Sequence, residues 1–348
     1  MKLSELEFYL VRVKVQSDGS QERRLLARLG TDSGLEGWGE ACIDWRPSEL
    51  VARRDALLSI LAGRSVFDVE ELLSLETLSE PRLRCALEMA VWDLVGRVIS
   101  QPLHNLLGGA YRRRIPLSIR LSGDSPNQIG QVSREMTEKG FHSQIVVSSG
   151  RPEQDLLNVS AAREAVGESA GLRFDAAANY DIETARDLCA ELERYALKFM
   201  IDPINTQDLH AVASLGRQAN VPLAVRRSIG SSADIMAIAR SKAAPFVVID
   251  HERVGGITAV RKCVDVAEAA GIGVSLGCES SLGIGAAAML HTVAATPHLA
   301  SCNECAYNHQ QEIITEPMEI GDGMITVPQG HGLGIEIDRA KLEKYQIT

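Results

Sequence analysis

Two adjacent arginines, Arg226 and Arg227, close the apolar stretch "PLAVRRSIG" at residues 222–230. A guanidinium stays charged and can fork onto a carboxylate through two parallel hydrogen bonds. A buried-looking strand that ends on this pair therefore points to carboxylate binding or to pairing with an internal acid. Other residues suggest covalent or metal chemistry. "CNEC" at 302–305, with His309 four residues on, has the residue types of a thiolate metal site. Yet residues three apart on a strand face opposite ways, and no second Cys pair exists to complete a tetrahedron, so zinc is not expected. Cys278, Glu279 and Ser280 could supply a nucleophile, but the adjacent sequence holds no histidine, which leaves only the distant His291 and His298 as partners. "GGIT" at 255–258 reads as a tight strand-to-helix turn whose helix start could face an anion.

Composition narrows the class. The chain has 348 residues, of which 45% are hydrophobic and 24% charged, which are globular values. A net charge of −10 argues against a nucleic-acid partner, which needs a basic footprint. No run approaches the roughly 20 apolar residues that span a bilayer, and the opening "MKLSELEFYLVRVKVQ" alternates like a strand and not like a signal peptide. Seven cysteines, an odd number, do not suggest a disulfide framework, so a reducing cytoplasm is the expected compartment.

These residues need elements to position them. Residues 1–45 read as an antiparallel meander, and 48–108 turn helical, with "EPRLRCALEMAVWDLVGRV" apolar at helical spacing. From Arg114 onward strands alternate with amphipathic helices: "IPLSIRLSG", "SQIVVSS", "GLRFDAA", "KFMIDPI", "VPLAVRR", "PFVVID", "IGVSLGC" and "LASCNECA" are the strand-like runs. Eight such strands with seven helices between them predict an α/β fold, a TIM-type (β/α)7β barrel, with functional residues past the C-terminal strand ends. The expected organisation is an α+β capping domain at 1–112, the barrel at 113–309, and a Gly- and Pro-rich segment at 310–348 whose short strands return to the cap.

Three stretches resemble the enolase superfamily, in particular the mandelate racemase/muconate lactonizing enzyme family. They are "ALEMAVWDLVGRVISQPLHNLLGG" (86–109), "ERVGGITAV" (252–260) and "VPQGHGLGIEID" (327–338), the last with His331 where a proline is usual. The resemblance implies one magnesium ion at the barrel mouth, held by carboxylates from strands three, four and five. That ion would stabilise the enediolate formed when a base removes the proton α to a substrate carboxylate. The implied bases are a Lys-x-Lys pair on strand two and, opposite, either a strand-six lysine or a strand-six Asp with a strand-seven His.

This chain departs from that pattern strand by strand. Asp175 keeps the strand-three carboxylate, but Ala177 replaces the usual asparagine. The strand-four ligand position is Ile201, with Asp202 beside it, and strand five carries Arg226–Arg227 in place of an acidic residue. Strand two has no lysine. Asp250 matches the strand-six Asp, but Gly277 stands where the histidine should be. Glu304 matches the eighth-strand glutamate that bonds the substrate carboxylate. A lone Asp175 beside an arginine is a poor magnesium site, since at an effective dielectric of about 20 the repulsion is several kcal/mol. No metal and no other cofactor is therefore expected; magnesium would return only if Asp202 or Glu279 served as replacement ligands.

The expected site is Asp175, Asp202, Arg226, Arg227 and Glu279 for a small carboxylate, with Asp250 and Glu304 as candidate acid or base. One of the two arginines should face the barrel axis and pair with Asp175, either repairing charge in an inert site or gripping a ligand. The first expectation is a member of this family that has lost magnesium-dependent proton abstraction and that binds a small carboxylate, either without turnover or with a metal-independent activity. The alternative is a divergent isomerase or lyase on a hydroxy acid or amino-acid derivative that uses recruited residues. A homo-oligomer is expected, with no nucleic-acid or membrane partner.

Overall fold

The computed structural model describes residues 1–14, 21–168, 170–278, 280–299, 303–304, 307 and 312–347. Strands β1 (Leu3–Lys14), β2 (Gln21–Thr31) and β3 (Glu36–Cys42) form the expected antiparallel meander. Helices α1 (Leu50–Leu61), α2 (Val69–Leu73), α3 (Pro81–Val98) and α4 (Leu103–Leu106) follow. α3 starts where the Glu80 side chain accepts from the N–H groups of Arg82 and Leu83, with Pro81 in the first turn, where its missing N–H costs nothing. It lies against β3 at backbone distance. A Cβ on Gly37 would come 2.3 Å from the Ala90 carbonyl oxygen, and one on Gly39 1.7 Å from that of Ala86, so "EGWGE" needs both glycines to admit the helix.

The barrel alternates as the sequence predicts: β4 (Arg114–Leu121), α5 (Pro126–Glu138), β5 (Ser143–Val147), α6 (Pro152–Val166), β6 (Gly171–Asp175), α7 (Ile182–Leu192), β7 (Met200–Ile201) and α8 (Leu209–Gly216). Then come β8 (Leu223–Val225), α9 (Ser232–Ser241), β9 (Phe246–Asp250), α10 (His251–Val254), α11 (Ile257–Ala269), β10 (Gly273–Gly277), α12 (Gly283–Ala294) and β11 (Asn303–Glu304). The strands are parallel from β4 to β10, and β11 pairs back onto β4, which closes a TIM-type barrel. The Asn303 side chain accepts from the Leu276 N–H at 2.7 Å and holds this last strand to β10. The short α10 is unforeseen in the sequence; Asp250 starts it by accepting from the N–H groups of Glu252 and Arg253.

Alternation along each strand sorts the side chains. Leu172, Phe174, Leu223, Val225, Val247, Ile249 and Leu276 join the large core shared with the helices. Phe199, Ile201, Ala224 and Val248, with Phe246, form a separate small cluster of the other set of side chains, in which Phe199 and Phe246 stack at 4.9 Å.

Buried carboxylates sew cap to barrel. Glu40 on β3 accepts from Leu282 and Gly285 N–H at the start of α12, at 2.7 and 2.8 Å. Glu88 on α3 accepts from Thr258 N–H at the start of α11 at 2.8 Å. From the barrel side, Glu252 binds the fully buried Arg24 of β2 and accepts from Cys42 N–H at 2.8 Å. Acidic side chains at helix starts satisfy N–H groups that have no partner within the helix and meet the positive end of the dipole.

The tail differs from expectation at first. Strands β12 (Ile320–Gly321) and β13 (Met324–Thr326) form a hairpin that pairs antiparallel with β4 of the barrel, not with the cap. Only afterwards does the chain reach the cap, first where Leu333 N–H donates to Asp93 Oδ1 at 2.8 Å and Arg97 binds Glu336, then through α13 (Arg339–Tyr345), where Arg339 binds Glu36 and Ile347 N–H donates to Leu10 O at 2.7 Å. Among the described residues no helix is long and apolar enough to cross a membrane.

Candidate functional site

The C-terminal strand ends gather a closed ring of four charges. Arg120 from β4 donates through Nη2 to Asp175 Oδ2 at 2.6 Å and through Nη1 to Glu304 Oε2 at 3.1 Å. Arg226, just past β8, places Nη1 at 3.1 Å from Glu304 Oε2 and 3.8 Å from Asp175 Oδ2. Asp175, Glu304 and Arg226 are buried, while the Arg120 side chain keeps 14% of its surface exposed. Two positive and two negative groups from four strands thus neutralise one another across the barrel. Burial acts to lower the Arg120 pKa, but Glu304 and Asp175 outweigh it and hold the guanidinium above its ordinary value.

Of the arginine pair, Arg226 is the inward one. Arg227 lies at the rim, its side chain 47% exposed and its Nε 3.8 Å from Asp202 Oδ2. Asp202 is buried and pinned: Oδ1 accepts from Arg226 N–H at 2.7 Å and Oδ2 from Arg227 N–H at 3.0 Å. Burial pushes its carboxyl up to about 6, against the pull of these two amides. It shapes the strand-five end that carries both arginines.

Asp175 is held from a second side by Ala177 N–H, which donates to Oδ1 at 2.9 Å. Ala177 and Ala178 both adopt left-handed backbone, with φ of 55° and 60°. Alanine pays for that conformation with strain of order 1–2 kcal/mol, and the turn is fixed by Ala178 N–H donating to Asp202 O at 2.8 Å.

The structure therefore brings together Asp175, Arg226 and Glu304, with Asp202 and Arg227 at the adjoining strand end. Asp250 ends β9 at the same mouth and serves as the N-cap of α10. Glu279, Cys302, Cys305 and His309 lie outside the described residues. His291 does not approach Cys278 as a base; it stacks on His104 and accepts that residue's N–H at 3.1 Å. Sequence reasoning missed Arg120. Its signal was present in "IPLSIRLSG", where Ile115, Leu117, Ile119 and Leu121 alternate with Pro116, Ser118 and Arg120, so an arginine occupies the face opposite the helix-packing one.

Residues 11–108 match the family model for the mandelate racemase/muconate lactonizing enzyme N-terminal domain, and residues 129–341 match the enolase C-terminal domain-like model. A capped barrel of this order is the architecture of the enolase superfamily, and the solved N-succinyl Arg/Lys racemase of Bacillus cereus superposes with a TM-score of 0.91 at 22% identity, covering 100% of this chain and 99% of that one. Within that superfamily, the chain belongs to the mandelate racemase/muconate lactonizing enzyme family. Its relatives include muconate cycloisomerase 1 of Rhodococcus opacus, 27% identical over 329 residues, covering 90% of this chain and 88% of that protein. The N-succinyl-L-Arg/Lys racemase of Bacillus cereus is 24% identical over 375 residues, covering 100% and 98%.

The family implies magnesium at this mouth, and the donor set among the described residues suits it poorly. Both Asp175 oxygens are engaged, one by a guanidinium and one by an amide. Strand four offers the buried, apolar Ile201, and strand five offers Arg226. Among the described residues no three His, Cys, Asp or Glu side chains come together as a metal-binding group. A dication there would also face two guanidiniums, each repelling it by several kcal/mol at a dielectric of about 20.

Proposed function

We propose that this chain binds a small carboxylate at its arginine-lined mouth and does not perform the metal-dependent abstraction of an α-proton. The observation that carries this reading is the state of the mouth carboxylates. Asp175 and Glu304 are bound by guanidiniums, Asp202 by two backbone amides, and Asp250 by the first turn of α10. A general base needs a lone pair within reach of the proton it removes; Asp175, Glu304 and Asp202 have both oxygens engaged within the protein, and Asp250 is held through Oδ1 alone. The groups turned toward solvent are cationic instead: Arg120 at the edge of the ring and Arg227 on the rim. A guanidinium that reaches solvent can take a carboxylate in a bidentate grip.

The full-length likeness to proteins named as cycloisomerases and a racemase favours a second reading, a working isomerase or lyase that uses Asp250 in a new role. One set of measurements decides between them. Magnesium chloride is titrated calorimetrically into the purified chain, and α-proton exchange with deuterium is followed by NMR for a panel of hydroxy acids and N-acyl amino acids. The same acids are screened by thermal shift. The proposal expects no stoichiometric magnesium binding, no exchange, and a thermal shift with a subset of acids that is lost in Arg227→Ala. Exchange that disappears in Asp250→Asn would establish the second reading.

A further inference from the structure

Gly277 ends β10 with no backbone reason to be glycine, because its φ lies outside the left-handed region. It is in register with Asp250, on the face that looks into the barrel mouth. A Cβ at this position would sit 2.9 Å from Val248 Cγ1, 3.0 Å from Arg226 Nη2 and 3.1 Å from Arg226 Cζ. Contacts that short force the neighbour to move. A side chain at 277 would thus press on Val248 from its own side and on the Arg226 guanidinium, which reaches across from the end of β8.

Resting on the reading that metal chemistry has been lost here, we infer that Gly277 is a positioning residue: its missing side chain is the seat that draws Arg226 inward to face Glu304. Seated there, Arg226 joins Arg120 in supplying the positive charge that pairs the buried Asp175 and Glu304 without a metal ion. A bulky residue on β10 and an inward arginine after β8 cannot occupy the same space. Two guanidiniums also carry the charge of one divalent cation, so the ring is neutral where the family's arrangement would require magnesium.

A mutant cycle tests the seat, read by thermal unfolding with chelator or with millimolar magnesium. The native chain is expected to melt at one temperature in both. Gly277→Ala and Arg226→Gln should each lower the midpoint by several degrees. The double variant should lose clearly less than the sum of the two, because the methyl's clash with the guanidinium is gone and only its contact with Val248 remains. Additive losses would overturn the assignment. Arg226→Glu supplies a readout that a merely structural contact would not move: with a third carboxylate beside Asp175 and Glu304, its midpoint should rise on adding magnesium. A folded Arg226→Glu chain indifferent to magnesium would overturn the claim that guanidinium stands in for the ion. If that variant does not fold, the Gly277–Arg226 cycle still decides. Carboxylate binding is not read in these melts, so failure of the seat and failure of the proposed function register in different experiments.

Discussion

Replacing Arg120 by methionine keeps most of the side chain's length and volume while removing its charge. In the native ring its two contacts, at 2.6 Å to Asp175 and 3.1 Å to Glu304, are among the shortest in the mouth. At charge separations near 4 Å and an effective dielectric of about 20, each contact is worth roughly 4 kcal/mol of Coulomb attraction. Much of this is offset by the cost of taking the ions out of water, so the measurable loss on breaking a buried pair is about 3–5 kcal/mol. Arg120→Met should fall in that range in urea denaturation at pH 7. A loss below about 1 kcal/mol would mean that the ring is hydrated and contributes little, and the account of the mouth would fail.

Three other outcomes follow from the structure. His291 is buried with its pKa pushed down to about 4 by that burial and by His104, against the bond of Nε2 to Leu333 O. Its contribution is complete above the unfolded value near 6.5 and is lost as pH falls toward 4, by about 3 kcal/mol. His291→Gln, which cannot take the charge, should remove that portion of the acid limb in denaturation curves measured at successive pH values. Gly39→Ala drives a methyl into the Ala86 carbonyl and should cost about 3 kcal/mol or more, the upper end for overpacking, in the same assay. Asp250→Asn keeps a capping oxygen and should cost at most about 0.3–1 kcal/mol, the worth of the lost negative charge at the helix start, and should leave thermal shifts by carboxylic acids unchanged.

The fold was readable because its two signals are local. Strand–helix alternation from Arg114 onward and the helical spacing of residues 81–98 each come from side-chain periodicity within a single element. The strand-end acids Asp175 and Glu304 were readable through their place in a resembling family. What was not readable depends on pairing across the barrel. Nothing adjacent to Arg120 in sequence says that it meets Asp175, 55 positions on, and Glu304, 184 positions on. Asp202 has the residue type of a ligand, and only the register shows that its oxygens go to the amides of Arg226 and Arg227. Asp250 looked like half of a catalytic pair; the four-residue α10 that it caps is too short to announce itself by periodicity. The hairpin β12–β13 has the residues of a turn and two strands, but its partner, β4, lies two hundred residues upstream.

The seam of Glu40, Glu88 and Glu252 has a consequence for transplantation. A foreign barrel fitted with this N-terminal lobe would receive two buried carboxylates aimed at wherever its own helices happen to begin, and Arg24, which keeps Glu40 of its own lobe, would lose Glu252. Each mismatch leaves a buried charged group short of a partner. The lobes of this chain are therefore interchangeable with those of relatives only as a matched pair, and a chimera that ignores these three positions should aggregate before its mouth can be assayed.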